Sequence, residues 1–211
     1  MYVRDFMQPN VITITSDTLI TDAQLIMKEK KVHRLPVVDH GRLVGIVSRA
    51  RLRDYAPSPA TSLSIWELNF ILSKIKVKEV MERKVITTTP DATIEEAAIL
   101  GTRHEIGALP VMEGDKLVGI ITLSDMFRLF VDIISAKEPG VRLRIVEPYA
   151  NKAAGGVGQH IAKHGGRIQN IFTYTHPKTH RQEMIIRVAT ENPTAIIEEF
   201  RKNGYEVEWT T

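Results

Sequence analysis

Leu117-Val118-Gly119-Ile120-Ile121-Thr122-Leu123-Ser124-Asp125 reads as a buried strand that ends at Thr122 and turns straight into a helix at Ser124 or Asp125. An earlier copy, Leu43-Val44-Gly45-Ile46-Val47-Ser48, stands 74 positions upstream. The same offset carries Val3-Arg4-Asp5-Phe6-Met7 onto Val77-Lys78-Glu79-Val80-Met81, Val11-Ile12-Thr13 onto Val85-Ile86-Thr87, Asp17 onto Asp91, and Leu35-Pro36-Val37 onto Leu109-Pro110-Val111. Several blocks matched at one constant offset, without a gap, identify a duplicated unit.

Length and composition bound the rest. The 211 residues allow one large or two small domains. Apolar residues make up 43%, enough for real cores, and no run approaches the roughly 20 apolar residues that span a bilayer. Met1-Tyr2-Val3-Arg4-Asp5 has no apolar stretch of the secretory kind, so a cytoplasmic protein is expected, with no membrane partner. The absence of cysteine excludes disulfides, thiolate metal sites and cysteine nucleophiles together. A net charge of +3 is mildly basic and suits an anionic small ligand. Lys and Arg are scattered, which disfavours nucleic acid as a partner.

Along the chain, Val11 to Thr15 reads as a short strand, and Asp17 or Thr18 as the cap of a helix with Ile20, Ala23, Ile26 and Met27 facing inward. Leu35-Pro36-Val37-Val38 and Leu43 to Ser48 form a hairpin about Asp39-His40-Gly41-Arg42, and a second helix begins at Arg51. Ala56 to Ser62 is a Pro/Ser linker, and Ser64-Ile65-Trp66-Glu67 has capping-box spacing ahead of a helix with Ile65, Leu68, Leu72 and Ile75 on one face. The second unit repeats the order, with a capping box at Thr93-Ile94-Glu95-Glu96 and a closing helix from Ser124 to about Ser135. That helix carries Met126, Phe127, Leu129, Phe130, Ile133 and Ile134, more apolar surface than a small domain needs, so a homodimer is expected. After Lys137-Glu138-Pro139-Gly140 the pattern changes to β-α-β-β-α-β, the ferredoxin-like split unit. The expected segments are 1–56 and 77–138 for the two repeats, 57–76 for a linker and helix, and 141–211 for the C-terminal domain.

The paired Leu-Pro-Val and Leu-Val-Gly-Ile blocks, with Gly119-Ile120-Ile121-Thr122-Leu123-Ser124-Asp125, resemble a tandem pair of CBS domains, a Bateman-type module. The C-terminal βαββαβ order and its glycine-rich first loop resemble an ACT domain. The combination, over essentially the whole chain, is similar to the acetoin-utilisation protein AcuB family. The resemblance implies an α/β (α+β) fold, a module with two clefts for adenosine ligands such as AMP, ADP, ATP or S-adenosylmethionine, frequent dimerisation, and small amino acids as ACT effectors.

The site chemistry follows residue by residue. A ribose diol presents two donors side by side, and a carboxylate can accept both. Asp125, in the first turn of its helix, is placed for this, as the acidic residue of dinucleotide folds is. Thr122 adds a hydroxyl, and the unsatisfied N–H groups at the helix start, beside Ser124, suit a phosphate. The bland alternative is that Ser124 or Asp125 is only an N-cap. By resemblance the adenine lies between Val85, Ile86 and Thr87 on one side and Ile106, Gly107, Ala108, Leu109 and Pro110 on the other. The first repeat departs from the pattern, with Arg51 where the second has Asp125, Ala50 for Ser124, and His33 and Arg34 for Gly107 and Ala108. A guanidinium has donors only and cannot accept from a diol. The first cleft is therefore expected to lose ordinary ribose recognition, leaving one good nucleotide site, with Arg51, Arg34 and Ser48 as candidate phosphate contacts, including for a ligand in the neighbouring cleft. The bland alternative for Arg51 is a solvated surface charge.

In the C-terminal domain Asn151, Gly155 and Gly156 mark a candidate effector loop that could cradle a carboxylate with backbone N–H groups. Gly155-Gly156-Val157-Gly158 is not a dinucleotide fingerprint, because position 161 is Ile161. His160, His164, His176 and His180 read as surface residues, and no metal set, nucleophile or acid–base pair stands out. The expected function is therefore regulatory, with no catalytic residue and no required cofactor. The protein would sense an adenosine nucleotide, with a small metabolite at the ACT-like domain and an unidentified protein partner, in acetoin or carbon catabolism. The rivals are a nucleic-acid-binding regulator using Arg49, Arg51 and Arg53, and a scaffold without nucleotide dependence.

Overall fold

The structure is a computed structural model. It describes residues 1–55, 74–134, 139–146 and 150–210, with the backbone alone for 150–155. The chain divides into two compact units, Met1–Phe127 and Arg128–Thr211. The expected linker and the capping box at Ser64 lie outside the described residues.

In the first unit the duplication is visible element by element. The first repeat holds α1 (Val3–Phe6), α2 (Ile20–Glu29), β1 (Arg34–Asp39), β2 (Arg42–Ser48) and α3 (Arg49–Asp54). The second holds α4 (Val77–Val80), α5 (Ile94–Arg103), β3 (Ala108–Glu113), β4 (Lys116–Thr122) and the start of α6 (Leu123–Ile134). Both hairpins are antiparallel in the same register, and both carry an irregularity at matched positions, Val37/Val38 and Val111/Met112. The expected strand at Val11 to Thr15 shrinks to a single parallel bridge from Ile14 to Val37, mirrored by Thr88 to Val111. Pro36 and Pro110 do not interrupt this bridge. Proline lacks an N–H but keeps its carbonyl, and those carbonyls accept from Ile14 and Thr88 at 3.1 and 3.0 Å.

Thr93 caps α5 as expected, its Oγ1 accepting from the Glu96 amide at 3.1 Å while a Glu96 carboxylate oxygen accepts from the Thr93 amide at 2.8 Å. At α2 the expectation fails. Leu19 is the N-cap and makes no side-chain cap bond. Asp17 instead accepts from Lys76 and Lys78, each at 2.9 Å, and these cations hold its carboxyl down at about 2.

The lead-in segment of each repeat lies on the other repeat. Met7-Gln8 runs against β4, where Gln8 and Ile120 exchange backbone bonds of 2.8 and 3.0 Å. Met81-Glu82 runs against β2, where Glu82 and Ile46 exchange two of 2.9 Å. The short helices α1 and α4 dock on the opposite repeat as well, through Val3 to Ala92 at 2.9 Å and Val77 to Thr18 at 2.8 Å. The thioethers of Met7 and Met81 occupy the space over Gly119 and Gly45 in which a Cβ would stand. Two strand glycines thus exist for close approach. One core of this unit gathers Ile20, Met27, Leu35, Val37, Val47 and Leu52 together with Val77, Val80 and Met81 of the exchanged segment.

The second unit contains β5 (Val141–Val146), α7 (Ala150–Lys163), β6 (Arg167–Thr175), β7 (Gln182–Ala189), α8 (Pro193–Lys202) and β8 (Glu206–Thr210). The element order is βαββαβ, and the sheet order is β6-β7-β5-β8, antiparallel throughout. Val141, Leu143, Ile145, Met184, Ile186 and Val188 face Val157, Ile161, Ile196 and Phe200 of the helices. The alternate residues of β5 and β7 point to the other face. There Glu183, only 2% exposed, receives a two-pronged Arg144 at 2.7 and 2.5 Å and the Tyr174 hydroxyl at 2.5 Å, and Arg144 also reaches Glu208 at 2.6 Å. The candidate effector loop is corrected. Asn151, Gly155 and Gly156 lie inside α7, which starts at Ala150. The N–H groups of Gly155 and Gly156, beyond the first turn, are spent on carbonyls four residues back and cannot cradle a carboxylate, and Asn151 stands in the first turn rather than in a loop. The histidines need correction too. His160 and His164 are partly buried and both approach Glu199 of α8, at 3.3 and 3.4 Å, beside Lys163 at 2.9 Å.

Two outcomes are expected. Gly45→Ala, whose Cβ would meet Met81 Sδ at 2.5 Å and the Glu82 carbonyl at 3.1 Å, should cost about 1–3 kcal/mol. Gly119→Ala should cost less, because Met7 is less buried than Met81. Urea melts of both variants test this order. Glu183→Ala should cost about 3 kcal/mol, because it leaves Arg144 without its buried partner. Arg144, aided by the Tyr174 hydroxyl and against the effect of burial, holds the Glu183 carboxyl at about 2, below its ordinary 4.5. Its contribution is therefore present above pH 4.5 and is lost as pH falls toward 2. In Glu183→Gln that part of the acid-induced loss of stability should disappear from melts across this window.

Candidate functional site

A cleft of about 480 Å³ opens in the first unit. Val85, Ile86, Ile106 and Ile46 give it apolar walls, and Arg34, Ser48, Arg51, Glu82 and Lys84 add polar groups. His104, Glu105 and Ala108 complete the lining. A volume of this size holds a drug-sized or nucleotide-sized ligand.

The exchanged lead-in segments decide which residues meet. Because Glu82 is paired to Ile46 of the first repeat, the following residues, Lys84 to Ile86, face the Ser48–Arg51 turn of that repeat. Of the residues singled out from sequence, the cleft brings together Val85, Ile86, Ile106, Ala108, Arg34, Ser48 and Arg51. Thr87, Leu109, Pro110, Thr122, Ser124 and Asp125 do not line it. Leu109 and Pro110 are buried in β3. The expectation that Asp125 shares a cleft with Val85 and Ile106 is therefore corrected. On the second hairpin the bridging residue is Gln8, paired with Ile120 as Glu82 is with Ile46, and the residues equivalent to Val85 and Ile86 are Val11 and Ile12. Sequence reading missed Glu82 and Lys84. Only the bridge from the second repeat's lead-in to the first repeat's strand reveals them.

At the second turn, the Asp125 carboxylate accepts from the Thr122 amide at 3.0 Å and from its hydroxyl at 2.6 Å, while Thr122 Oγ1 accepts from the Asp125 amide at 3.2 Å. That is a reciprocal cap of the start of α6. In the first repeat Ser48 accepts from the Arg51 amide at 3.1 Å, and Arg51 has no carboxylate to return. Its Nε donates instead to the Val80 carbonyl at 2.6 Å, which ties α3 to the exchanged segment.

Arg34 lies half-buried, and its guanidinium fills the room over Gly107. A Cβ there would stand 2.7 Å from Arg34 Nη2. The glycine that was expected to leave space for a ring leaves it for this side chain. Among the described residues the Arg34 guanidinium has neither a hydrogen-bond nor an ion-pair partner, and burial lowers its pKa. A partly desolvated cation without a counter-ion favours an anion. Arg49 and Arg53, grouped with Arg51 from sequence, line a separate groove of about 310 Å³ with Gln24, Met27 and Lys28. No group of three His, Asp or Glu side chains among the described residues is placed to hold a metal. No described helix is long and apolar enough to cross a membrane.

Comparison with known proteins follows the same division. A family model for the CBS domain matches residues 3–58 and 77–132. A putative acetoin utilization protein, AcuB, from Vibrio cholerae has a solved structure 31% identical to this chain, with a TM-score of 0.53, covering 66% of this chain and 98% of that one. The CBS domain pair of protein MJ0100, solved in complex with 5′-methylthioadenosine and S-adenosyl-L-methionine, is 29% identical with a TM-score of 0.52, covering 63% and 97%. The structure of CBSX2 in complex with AMP is 32% identical with a TM-score of 0.52, covering 64% and 98%. Of several longer curated relatives, enzymes among them, the chain spans only about a quarter, 23% to 26% of their length. The two matched segments make up more than half of the chain, each coincides with one of the two interlocked repeats, and the chain belongs to the CBS domain family.

Proposed function

We propose that this protein is a regulatory sensor of an adenosine nucleotide, bound in the cleft between Val85, Ile86 and Ile106 with its phosphate on Arg34. The observation that carries the reading is the half-buried, unpaired guanidinium of Arg34 at the end of an apolar slot. The complexes of its relatives with AMP and with S-adenosyl-L-methionine and 5′-methylthioadenosine support the adenosine part. Arg51 and Lys84 line the same cleft and add positive charge for a phosphate. The Thr122–Asp125 turn is read as half of a second cleft, with Asp125 as its ribose contact. A bound ligand shifts the protein between conformations only by its differential affinity for them.

The βαββαβ unit is read as an ACT-type domain that takes a small metabolite or a partner, on the strength of its element order and sheet order. Control of acetoin or carbon catabolism rests on the likeness to AcuB. The basic groove with Arg49 and Arg53 is the one described feature on which a nucleic-acid reading could rest, and so few cations neutralise few phosphates. A homodimer is read from α6, where Phe127, Phe130 and Val131 are 67%, 55% and 43% exposed. Exposed aromatic patches of this kind are what protein interfaces cover.

In a thermal-shift series with AMP, ADP, ATP, S-adenosylmethionine and 5′-methylthioadenosine, at least one phosphorylated ligand should stabilise the protein. At 100 times its Kd the gain is about 2.7 kcal/mol. Arg34→Ala should remove most of the gain, and a full gain in that variant would refute the phosphate assignment. Phe127→Asp combined with Phe130→Asp should convert a dimer to a monomer in sedimentation velocity without lowering the CD-detected helix content.

A further inference from the structure

The cleft contains opposite charges that do not neutralise each other. Arg34, Arg51, Lys84 and Glu82 all line it. Yet among the described residues Glu82 forms no ion pair with any of the three cations, and its Oε1 accepts instead from the Lys84 amide at 3.1 Å. Charges of opposite sign on free side chains would close on one another in so small a space. Backbone groups hold two of the four side chains, Glu82 and Arg51. Glu82 is pinned by two 2.9 Å bonds to Ile46 and by the Lys84 amide, and Arg51 is pinned by its 2.6 Å bond to the Val80 carbonyl. A cleft that holds a carboxylate and cations separately complements a ligand that is itself divided, with hydroxyl donors at one end and an anion at the other.

The duplication shows where the carboxylate came to stand. In the second repeat's turn the acid is on the helix, Asp125, and the bridging segment facing that strand carries the neutral Gln8. In the first, the helix carries Arg51 and the bridging segment carries Glu82. The acceptor stands on the helix in the second repeat's turn and on the bridging segment at the first. Glu105 is the other carboxylate of the lining. It sits past the end of α5 with φ of +54°, a position its counterpart Lys31 shares, so no acceptor is retained there between the repeats.

We infer that Glu82 takes the ribose diol of the nucleotide in this cleft, in place of the helix carboxylate that Arg51 has replaced, and that Arg51 with Arg34 and Lys84 takes the phosphate. The inference rests on the adenosine reading above. The diol donates two hydrogen bonds to the carboxylate, one oxygen of which keeps the Lys84 amide. Ribose recognition therefore belongs to the segment that the second repeat lends to the first, and ligand binding at this cleft holds the exchange closed.

The test is isothermal titration of the full chain with AMP and with 2′,3′-dideoxyadenosine 5′-monophosphate. The wild type should bind AMP at least tenfold more tightly than the dideoxy compound. In Glu82→Gln, which keeps an acceptor for the Lys84 amide and so keeps the bridge, the ratio should fall to within about twofold, and the dideoxy affinity should hardly move. A ratio preserved in Glu82→Gln but lost in Glu105→Gln or Asp125→Asn overturns the inference while leaving the adenosine reading in place. Absence of binding of either compound to the wild type overturns both. A Glu82→Gln chain that binds both compounds equally less well, with the ratio intact, means that Glu82 only shapes the bridge, and that also overturns it.

Discussion

Two pairs of backbone hydrogen bonds hold the first unit together, Gln8 with Ile120 and Glu82 with Ile46. They carry the start of each repeat onto the hairpin of the other. Each hairpin alone has only two strands, and isolated two-stranded hairpins are marginal in water. The exchanged segments supply the missing edge partner, and they deliver Val77, Val80 and Met81 into the core of the first repeat. Neither repeat is complete without the segment that belongs, by sequence, to its twin. The glycines at 45 and 119 are the steric condition of this arrangement, because the methionine of the visiting segment needs the volume a side chain would take.

The candidate site is a consequence of the same exchange. Once Glu82 is paired to Ile46, the apolar residues Val85 and Ile86 stand opposite the Ser48–Arg51 turn, and the cleft between them draws both walls and charge from the two repeats together. Divergence after duplication then acts on both contributors. Replacement of the helix carboxylate by Arg51 and of a small residue by Arg34 makes the first turn cationic. The second turn keeps Asp125 in a reciprocal cap with Thr122. Two equivalent turns thus present opposite charge, Arg51 at the first and Asp125 at the second.

The second unit reaches stability by other means. Its sheet is four-stranded and continuous, with helices α7 and α8 on one face, and its most costly feature is the buried carboxylate of Glu183. That group is kept because Arg144 meets it two-pronged and Tyr174 donates to it, so its lone pairs are largely satisfied. Glu199 plays a comparable part between α7 and α8, gathering His160, Lys163 and His164. Such networks fix the register of elements that apolar packing alone would leave free to slide.

The duplication, the hairpins, the capping box at Thr93 and the βαββαβ order are written in the sequence by itself. Each depends on local patterning that a reader can see as periodicity, turn residues or an internal match. Arg34 and Arg51 also stood out there, because a repeat makes every departure from its twin visible. What the sequence could not determine was which repeat each lead-in segment would pair with. A strand-edge hydrogen bond is made by backbone atoms that are identical in every residue, so nothing in the side chains at Gln8 or Glu82 announces the partner. The tertiary structure decided that, and with it that Asp125 does not line the cleft of Val85, that Glu82 and Lys84 belong beside Arg51, and that Gly107 makes room for a guanidinium. It also drew Asn151, Gly155 and Gly156 into a helix, because once α7 packs Val157 and Ile161 on the sheet, extending the helix N-terminally to Ala150 satisfies backbone groups that a loop would have left open.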